Sequence, residues 1–404
     1  MTNSNTQLRT RLAEWTDRVL PSPTALLEST VARYQREGRP VFRLGLGQPD
    51  FPTPDRAKQS AIQAIHDDFT GYTDTAGILP LRQAISKALR RDIGLEYGPD
   101  EIVVTVGGKH ALFNTINTLC HPGDEVLIPV PYWVSFPEQV KFAGAKPVFV
   151  QTDEADGFKV TPRTLAPYVN GSTRLLILNQ PNNPSGAVYS KKELAELADF
   201  IRERDLWVIS DEVYSSFVFQ PEGFTSIASF PGMRERAVVI NAVSKAYGMT
   251  GWRIGYSAAP AEVSEAMLRL QSHTTSNPSS VAQKAALAAI EGPQDDQTVI
   301  REQYMARRDL LVEGVRRIRG LECLVPEGAF YVWADASDWL GRPVAGRPVA
   351  TVDDLAAILL EEAGVAVMPG TGFGSPRHLR LSYSVALPEM QGGLAAMEAL
   401  LGSK

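Results

Sequence analysis

Two cysteines in 404 residues, Cys120 and Cys323, are too few and too far apart to form a disulfide framework. Neither belongs to the paired spacing of a metal knuckle, and the five histidines form no metal-binding pair. No metal is expected, and a reducing compartment is the natural setting. Long apolar runs are missing as well. No window approaches the roughly 20 apolar residues needed to span a bilayer, and the polar stretch Met1–Thr10 lacks the apolar core of a secretory leader. A cytoplasmic protein with no membrane partner is therefore expected. Positive charge is not in excess: 40 Lys and Arg stand against 46 Asp and Glu, a net charge of -6. That balance excludes a broad phosphate-backbone footprint, so no nucleic-acid partner is expected. Gly45-Leu46-Gly47 lacks the third glycine of a dinucleotide fingerprint and runs into Pro49 rather than a helix. No G-x-S-x-G nucleophile elbow occurs either.

The remaining composition, 44% hydrophobic and 21% charged, is that of a globular chain long enough for two or three domains. Short apolar runs at Glu101–Val106, Glu125–Pro129, Leu175–Leu178, Leu206–Ser210 and Ala237–Asn241 read as buried strands. Amphipathic segments lie between them. In Lys192–Arg204, Leu194, Leu197, Ala198 and Ile201 follow the spacing of one helix face. Such alternation predicts an α/β fold with a mostly parallel sheet flanked by helices. The two ends differ: a helical pattern precedes the Gly/Pro-rich Leu44–Pro54. After about Arg301 a long helix (Tyr304–Arg319) leads to strand-like Ala329–Trp333, Val365–Val367 and Leu379–Tyr383. Residues 1–54 and 301–404 are expected to form a smaller α+β domain, with 55–300 as the large domain. The doublet Gly341–Val344 and Gly346–Val349 (GRPV twice) reads as a local duplication in a loop.

Four segments carry chemistry, each with a plainer reading beside it. Val106-Gly107-Gly108-Lys109 joins a strand to a helix, where free N–H groups and the positive end of the helix dipole form an anion cup; alone it is also an ordinary turn. Asn179–Gly186 (NQPNNPSG) follows a strand and suits a turn, yet it places amide side chains where α/β ligand sites form. Asp211 ends another strand, as a helix cap or as a buried carboxylate facing a cationic ring, with Tyr214 one turn on. Lys245 follows a fourth strand in a largely apolar, Gly-rich segment, which fits a reactive amine better than a solvated one. Arg253 lies eight positions later as a planar phosphate fork.

Taken in order, GGK, PYWVS, NQPNNPSG, SDEVY, SKAYGMTGWRIGY, PEGAFYVW and LRLSYS resemble the class I aminotransferases of pyridoxal-phosphate fold type I, from about Pro21 to the C-terminus. In character they are nearest the bacterial aspartate or aspartate/prephenate subgroup. The resemblance implies that Lys245 carries pyridoxal 5'-phosphate as a Schiff base and that Asp211 faces its ring nitrogen. It implies that Asn183 and Tyr214 bond its phenolic oxygen and that Trp133 stacks on its ring. Gly108, Lys109 and Arg253 would hold the phosphate, with Tyr72 reaching the phosphate of a second subunit, so that a homodimer shares its active sites. Arg380 and the Gly47 backbone would meet the substrate α-carboxylate. Lys109, Ser22 and Thr24 would select a dicarboxylic side chain, the other substrate being a 2-oxo acid.

Several positions depart from that family's pattern. Ala242 stands where a hydroxyl residue is frequent, Gln48 where glutamate is common, and Ser185 where threonine is. His110 and His273 stand where glutamine is usual, near the expected place of the substrate side chain. A lyase, cyclase or amino-acid oxidase on the same scaffold would use the same Lys245, Asp211, Arg253 and Arg380. A sensing domain of a transcription regulator would need a DNA-binding module, for which only about twenty residues precede Pro21.

Overall fold

The computed structural model describes residues 13–404, so the Met1–Thr10 stretch lies outside the described residues. The apolar runs form strands β1 (Ile102–Thr105), β2 (Glu125–Val130), β4 (Thr173–Asn179), β5 (Trp207–Asp211) and β6 (Ala237–Ala242), almost wholly buried as two-sided cover requires. Two further strands complete a seven-stranded sheet: β3 (Lys146–Gln151) and β7 (Gly255–Ala258), in the order β1-β7-β6-β5-β4-β2-β3. β3 is an edge strand with Phe149 exposed, and β7 is four residues long (GYSA). β7 presents no continuous apolar run, whereas β3 carries Val148-Phe149-Val150 and is missing from the expected strands. β7 runs antiparallel to β1 and β6, while the pairings among β2 to β6 are parallel.

Helices cover the sheet for reasons written locally. The helix Lys191–Glu203 buries Leu194, Leu197, Ala198 and Ile201. It starts with a capping box in which Ser190 N donates to Glu193 Oε2 at 2.7 Å and Glu193 N donates to Ser190 Oγ at 3.3 Å.

A second sheet, of four antiparallel strands, has the order β12-β13-β9-β8: β8 (Glu322–Cys323), β9 (Tyr331–Asp335), β12 (Met368–Pro369) and β13 (His378–Ser382). Its core is shared by Leu44 from the N-terminal part and by the long helix Asp295–Arg317, with Leu311, Val312 and Val315 buried. That helix begins earlier than its apolar pattern, because Asp295 and Asp296 occupy the first turn, where negative charge meets the helix dipole. Val365–Val367, expected as a strand, makes instead one parallel bridge from Val365 to Phe42; the ladder starts only at Met368. The GRPV doublet is more than loop. Each copy supplies one strand of a hairpin, β10 (Pro343–Val344) against β11 (Arg347–Pro348).

The register Asn179–Asp211–Ile240 across β4, β5 and β6 brings the carboxyl ends of three strands level on the edge that faces the smaller sheet. Leu197 is fully buried in the larger core. Leu197→Ala should lower unfolding free energy by about 2–5 kcal/mol in urea denaturation, through lost transfer energy and a residual cavity.

Candidate active site

At that level edge lies a cavity of about 320 Å³. Its floor begins where β1 ends. Gly107 takes φ +78°, and the helix Gly108–Leu119 starts directly after it. The first-turn N–H groups of Gly108 and Lys109 have no intrahelical acceptor. The backbone is pressed tightly here: a Cβ on Gly107 would sit 2.4 Å from Arg253 Nη2, and one on Gly255 would sit 2.3 Å from Gly108 N. Arg253, itself at φ +57°, donates from Nη1 to Thr250 O at 2.9 Å, so its fork lies over the cup.

Asp211 is buried in the cavity wall, where its side chain accepts one long bond, from Val213 N at 3.4 Å. Burial raises its carboxyl from the ordinary 3.8 to about 7, against the pull of that N–H and of Lys245. Lys245, in the short helix Val243–Ala246 after β6, donates from Nζ to Gly47 O at 2.6 Å. Burial, then the charges of Arg380 and Arg253, push its amine from 10.5 down to about 8. Asn183 is held by Asn179, whose Oδ1 accepts from Asn183 N at 2.9 Å while its Nδ2 donates to Asp211 O at 3.1 Å. Tyr214 shares a 2.9 Å hydroxyl bond with Tyr331, and burial raises its phenol well above 10.

From the smaller sheet, β13 delivers Arg380. Its guanidinium is 1% exposed, donating to Asn183 Oδ1 and Gly45 O, each at 2.8 Å, and lying 4.3 Å from the Tyr331 ring centre. Lys109 Nζ lies 5.0 Å from the Trp133 ring, and its pKa is lowered by burial and by Arg253.

Gly47, Gly108, Lys109, Trp133, Asn183, Asp211, Tyr214, Lys245, Arg253, Arg380 and Thr24 thus line one cavity. Ser22 does not line it; its hydroxyl is spent on Thr24 Oγ1 at 2.8 Å. Tyr72 stands apart from the cavity of its own chain, 94% exposed beside Asn277 and Ser279. The expectation for His110 and His273 needs correction. Neither lines the cavity, since the His110 ring folds back to accept from Val106 N at 3.3 Å and His273 ends an exposed helix turn. Asn179, Glu28 and Tyr331 were not singled out from sequence. Asn179 opens the NQPNNPSG motif and Tyr331 lies within PEGAFYVW, whereas Glu28 on the helix Pro23–Arg36 carries no local signal.

The donor set fits a phosphorylated, cationic ring. A cup of N–H groups beside an arginine suits the phosphate, a buried carboxylate suits a ring cation, and a depressed lysine suits an aldehyde carbon. Arg380 Nε is buried with no partner, leaving one donor for a further anion. Sequence comparison agrees: the family profile "Aminotransferase class I and II" matches residues 39–396. The chain belongs to that family. It is 41% identical over 382 residues to an aspartate aminotransferase of Geobacillus stearothermophilus, covering 94% of this chain and 96% of the relative. It is 43% identical over 391 residues to an aspartate/prephenate aminotransferase of Cereibacter sphaeroides, covering 96% and 98%. Among solved structures, the aspartate aminotransferase of Rhizobium meliloti superposes with a TM-score of 0.92 at 40% identity, covering 96% of this chain and 98% of that one. The Thermus thermophilus aspartate aminotransferase with maleate superposes at 0.90 and 38%, covering 96% and 99%. This aminotransferase accordingly has the type I fold, and its cofactor is pyridoxal 5'-phosphate.

Two outcomes test the cavity. Gly255→Ala should destabilise the chain by about 1–3 kcal/mol, because a methyl cannot coexist with Gly108 N. It should also weaken cofactor affinity, read by fluorescence titration. Lys245 is protonated below its depressed pKa and free above it. In cofactor-stripped protein its reductive alkylation by a small aldehyde should therefore rise through a midpoint at about 8, not 10.5.

Proposed function

We propose that this aminotransferase takes its amino group from a dicarboxylic amino acid, aspartate or glutamate, and passes it to a 2-oxo acid in a ping-pong sequence. The observation that carries the choice is that, besides the reactive Lys245, three basic side chains line one cavity: Arg253, Arg380 and Lys109. Arg253 belongs with the phosphate cup and Arg380 offers a planar fork for an α-carboxylate. Lys109 remains for a second, distal carboxylate, which a point charge on a flexible stem suits. Thr24 lies on the same wall and adds a hydroxyl. The relatives' names, aspartate and aspartate/prephenate aminotransferase, support the same reading.

Pyridoxal phosphate, when bound, supplies an electron sink and the carbon that receives the nitrogen. The side chains divide the remaining work. Lys245, whose depressed pKa of about 8 leaves a substantial neutral fraction at that pH, takes the proton from the amino acid's Cα and holds it for return. Asp211 keeps negative charge opposite the ring nitrogen, where a proton must stay. Asn183 and Tyr214 would hold the cofactor through its phenolic oxygen, and Trp133 would pack against its ring. Gly47 and Arg380 orient the α-carboxylate. Residues 301–404 form a smaller unit that brings Arg380 to the cavity from β13. Tyr72, exposed on a single chain, fits a reach into a partner's phosphate cup, so the working form is a homodimer with shared sites. A cytoplasmic location accords with free, buried cysteines and with the absence, among the described residues, of any helix long and apolar enough to cross a membrane.

Mixing cofactor-loaded enzyme with aspartate alone should shift the cofactor's absorbance in one turnover and release one oxaloacetate per chain; an unresponsive spectrum would sink the dicarboxylate reading. Lys109→Ala should raise KM for aspartate by about tenfold or more while leaving KM for alanine nearly unchanged. Lys245→Ala should abolish turnover and still retain cofactor through the phosphate cup.

A further inference from the structure

Away from the cavity, among the described residues, one cluster brings a histidine and two carboxylates together: Glu154, Asp335 and His378, with ligand atoms all within 4.8 Å of one another. Glu154 lies in the loop after β3; Asp335 ends β9 and His378 begins β13, paired in register. His378 is 3% exposed. Its Nδ1 is engaged with Ser375 Oγ at 2.6 Å, whereas Nε2 is buried without a hydrogen-bond partner and lies 3.9 Å from Asp335 Oδ2. The ring cannot turn aside easily. Trp333 stacks on it at 4.8 Å and Phe158 meets it edge-on at 5.6 Å. A cavity of about 280 Å³ opens beside it, lined in part by Gln151, Glu154, Phe158, Arg377 and His378.

Three lone-pair donors facing one another call for a cation between them. We infer that Glu154, Asp335 and His378 form a binding site for a divalent transition-metal ion of the zinc class. One imidazole nitrogen with two carboxylates is a donor set that zinc accepts, leaving a position for water. Ser375 Oγ lies 2.6 Å from Nδ1 and anchors the ring with Nε2 beside the carboxylates; when Nδ1–H donates to Ser375, Nε2 offers its lone pair to an ion, as at histidine metal sites with such outer partners. The competitor is Arg377, whose Nε pairs with Asp335 Oδ2 at 3.2 Å. Its side chain is 48% exposed, so the guanidinium can swing into water and leave the 15% exposed Asp335 carboxylate to the ion. A bound ion would tie the loop after β3 to the two central strands of the smaller sheet, with Arg380 two residues along from His378.

The test is titration of chelator-treated, cofactor-loaded enzyme with zinc chloride alone, followed by calorimetry. About one equivalent per chain should bind with micromolar affinity. Glu154→Gln, a near-isosteric change on a loop, and His378→Gln should each weaken binding by about tenfold or more. Arg377→Gln should tighten it several-fold by removing the rival cation, an effect that a merely structural cluster would not show. Absence of saturable binding, or affinity unchanged in both Glu154→Gln and His378→Gln, overturns the site.

Discussion

The architecture turns on burying one guanidinium. Arg380 sits 1% exposed between two sheets, and an ion in that position is tolerable only if its surroundings replace water. Asn183 Oδ1 from the larger unit and Gly45 O from the N-terminal segment each accept from it, and the faces of Tyr331 and Phe373 flank it at 4.3 and 4.9 Å. The same contacts tie β13 to the loop after β4 and to the segment around Gly45. Asn183 is aimed in turn by Asn179, which also bonds the backbone of Asp211. The cation on β13 is thus linked through Asn183 and Asn179 to the main-chain carbonyl of Asp211 at the end of β5, beside the cavity that carboxylate lines.

Burial works on the two ionisable groups in opposite senses. It raises an acid and lowers a base, bringing Asp211 to about 7 and Lys245 to about 8 before any ligand is considered. Arg380 and Arg253 add to the fall at Lys245. A phosphate and a carboxylate brought into the cavity would offset those cations, so the electrostatics are arranged for anionic guests. Glu28, on the opposing wall, supports the protonated form of both Lys109 and Lys245 and moderates the excess of positive charge.

Much of this was legible in sequence, because the central strands are continuous apolar runs and the reactive residues sit at their carboxyl ends. The strand-end rule marked the segments that hold Lys245, Asp211 and Asn183, and the family resemblance gave each its role. Other features depend on packing between distant segments. β7 has only four residues and little apolar character, yet it closes the sheet between β1 and β6. Val365–Val367 has a strand's composition, but its partner is the lone Phe42. His110 lies next to the phosphate cup in sequence while its ring turns back to the end of β1. Spacing along the chain says how near a residue lies to a site, whereas the direction of its side chain is settled by what it packs against.

The hairpin β10–β11 shows how little new sequence a new element requires. Gly341–Ala345 and Gly346–Ala350 are the same five residues, GRPVA, in tandem. Each copy sends its valine, Val344 and Val349, inward to 3% and 1% exposure. The second glycine, at φ +74°, follows Ala345 at φ +48° to turn the chain. One five-residue unit thus serves as both arms of the hairpin, with the second copy's glycine making the turn between them.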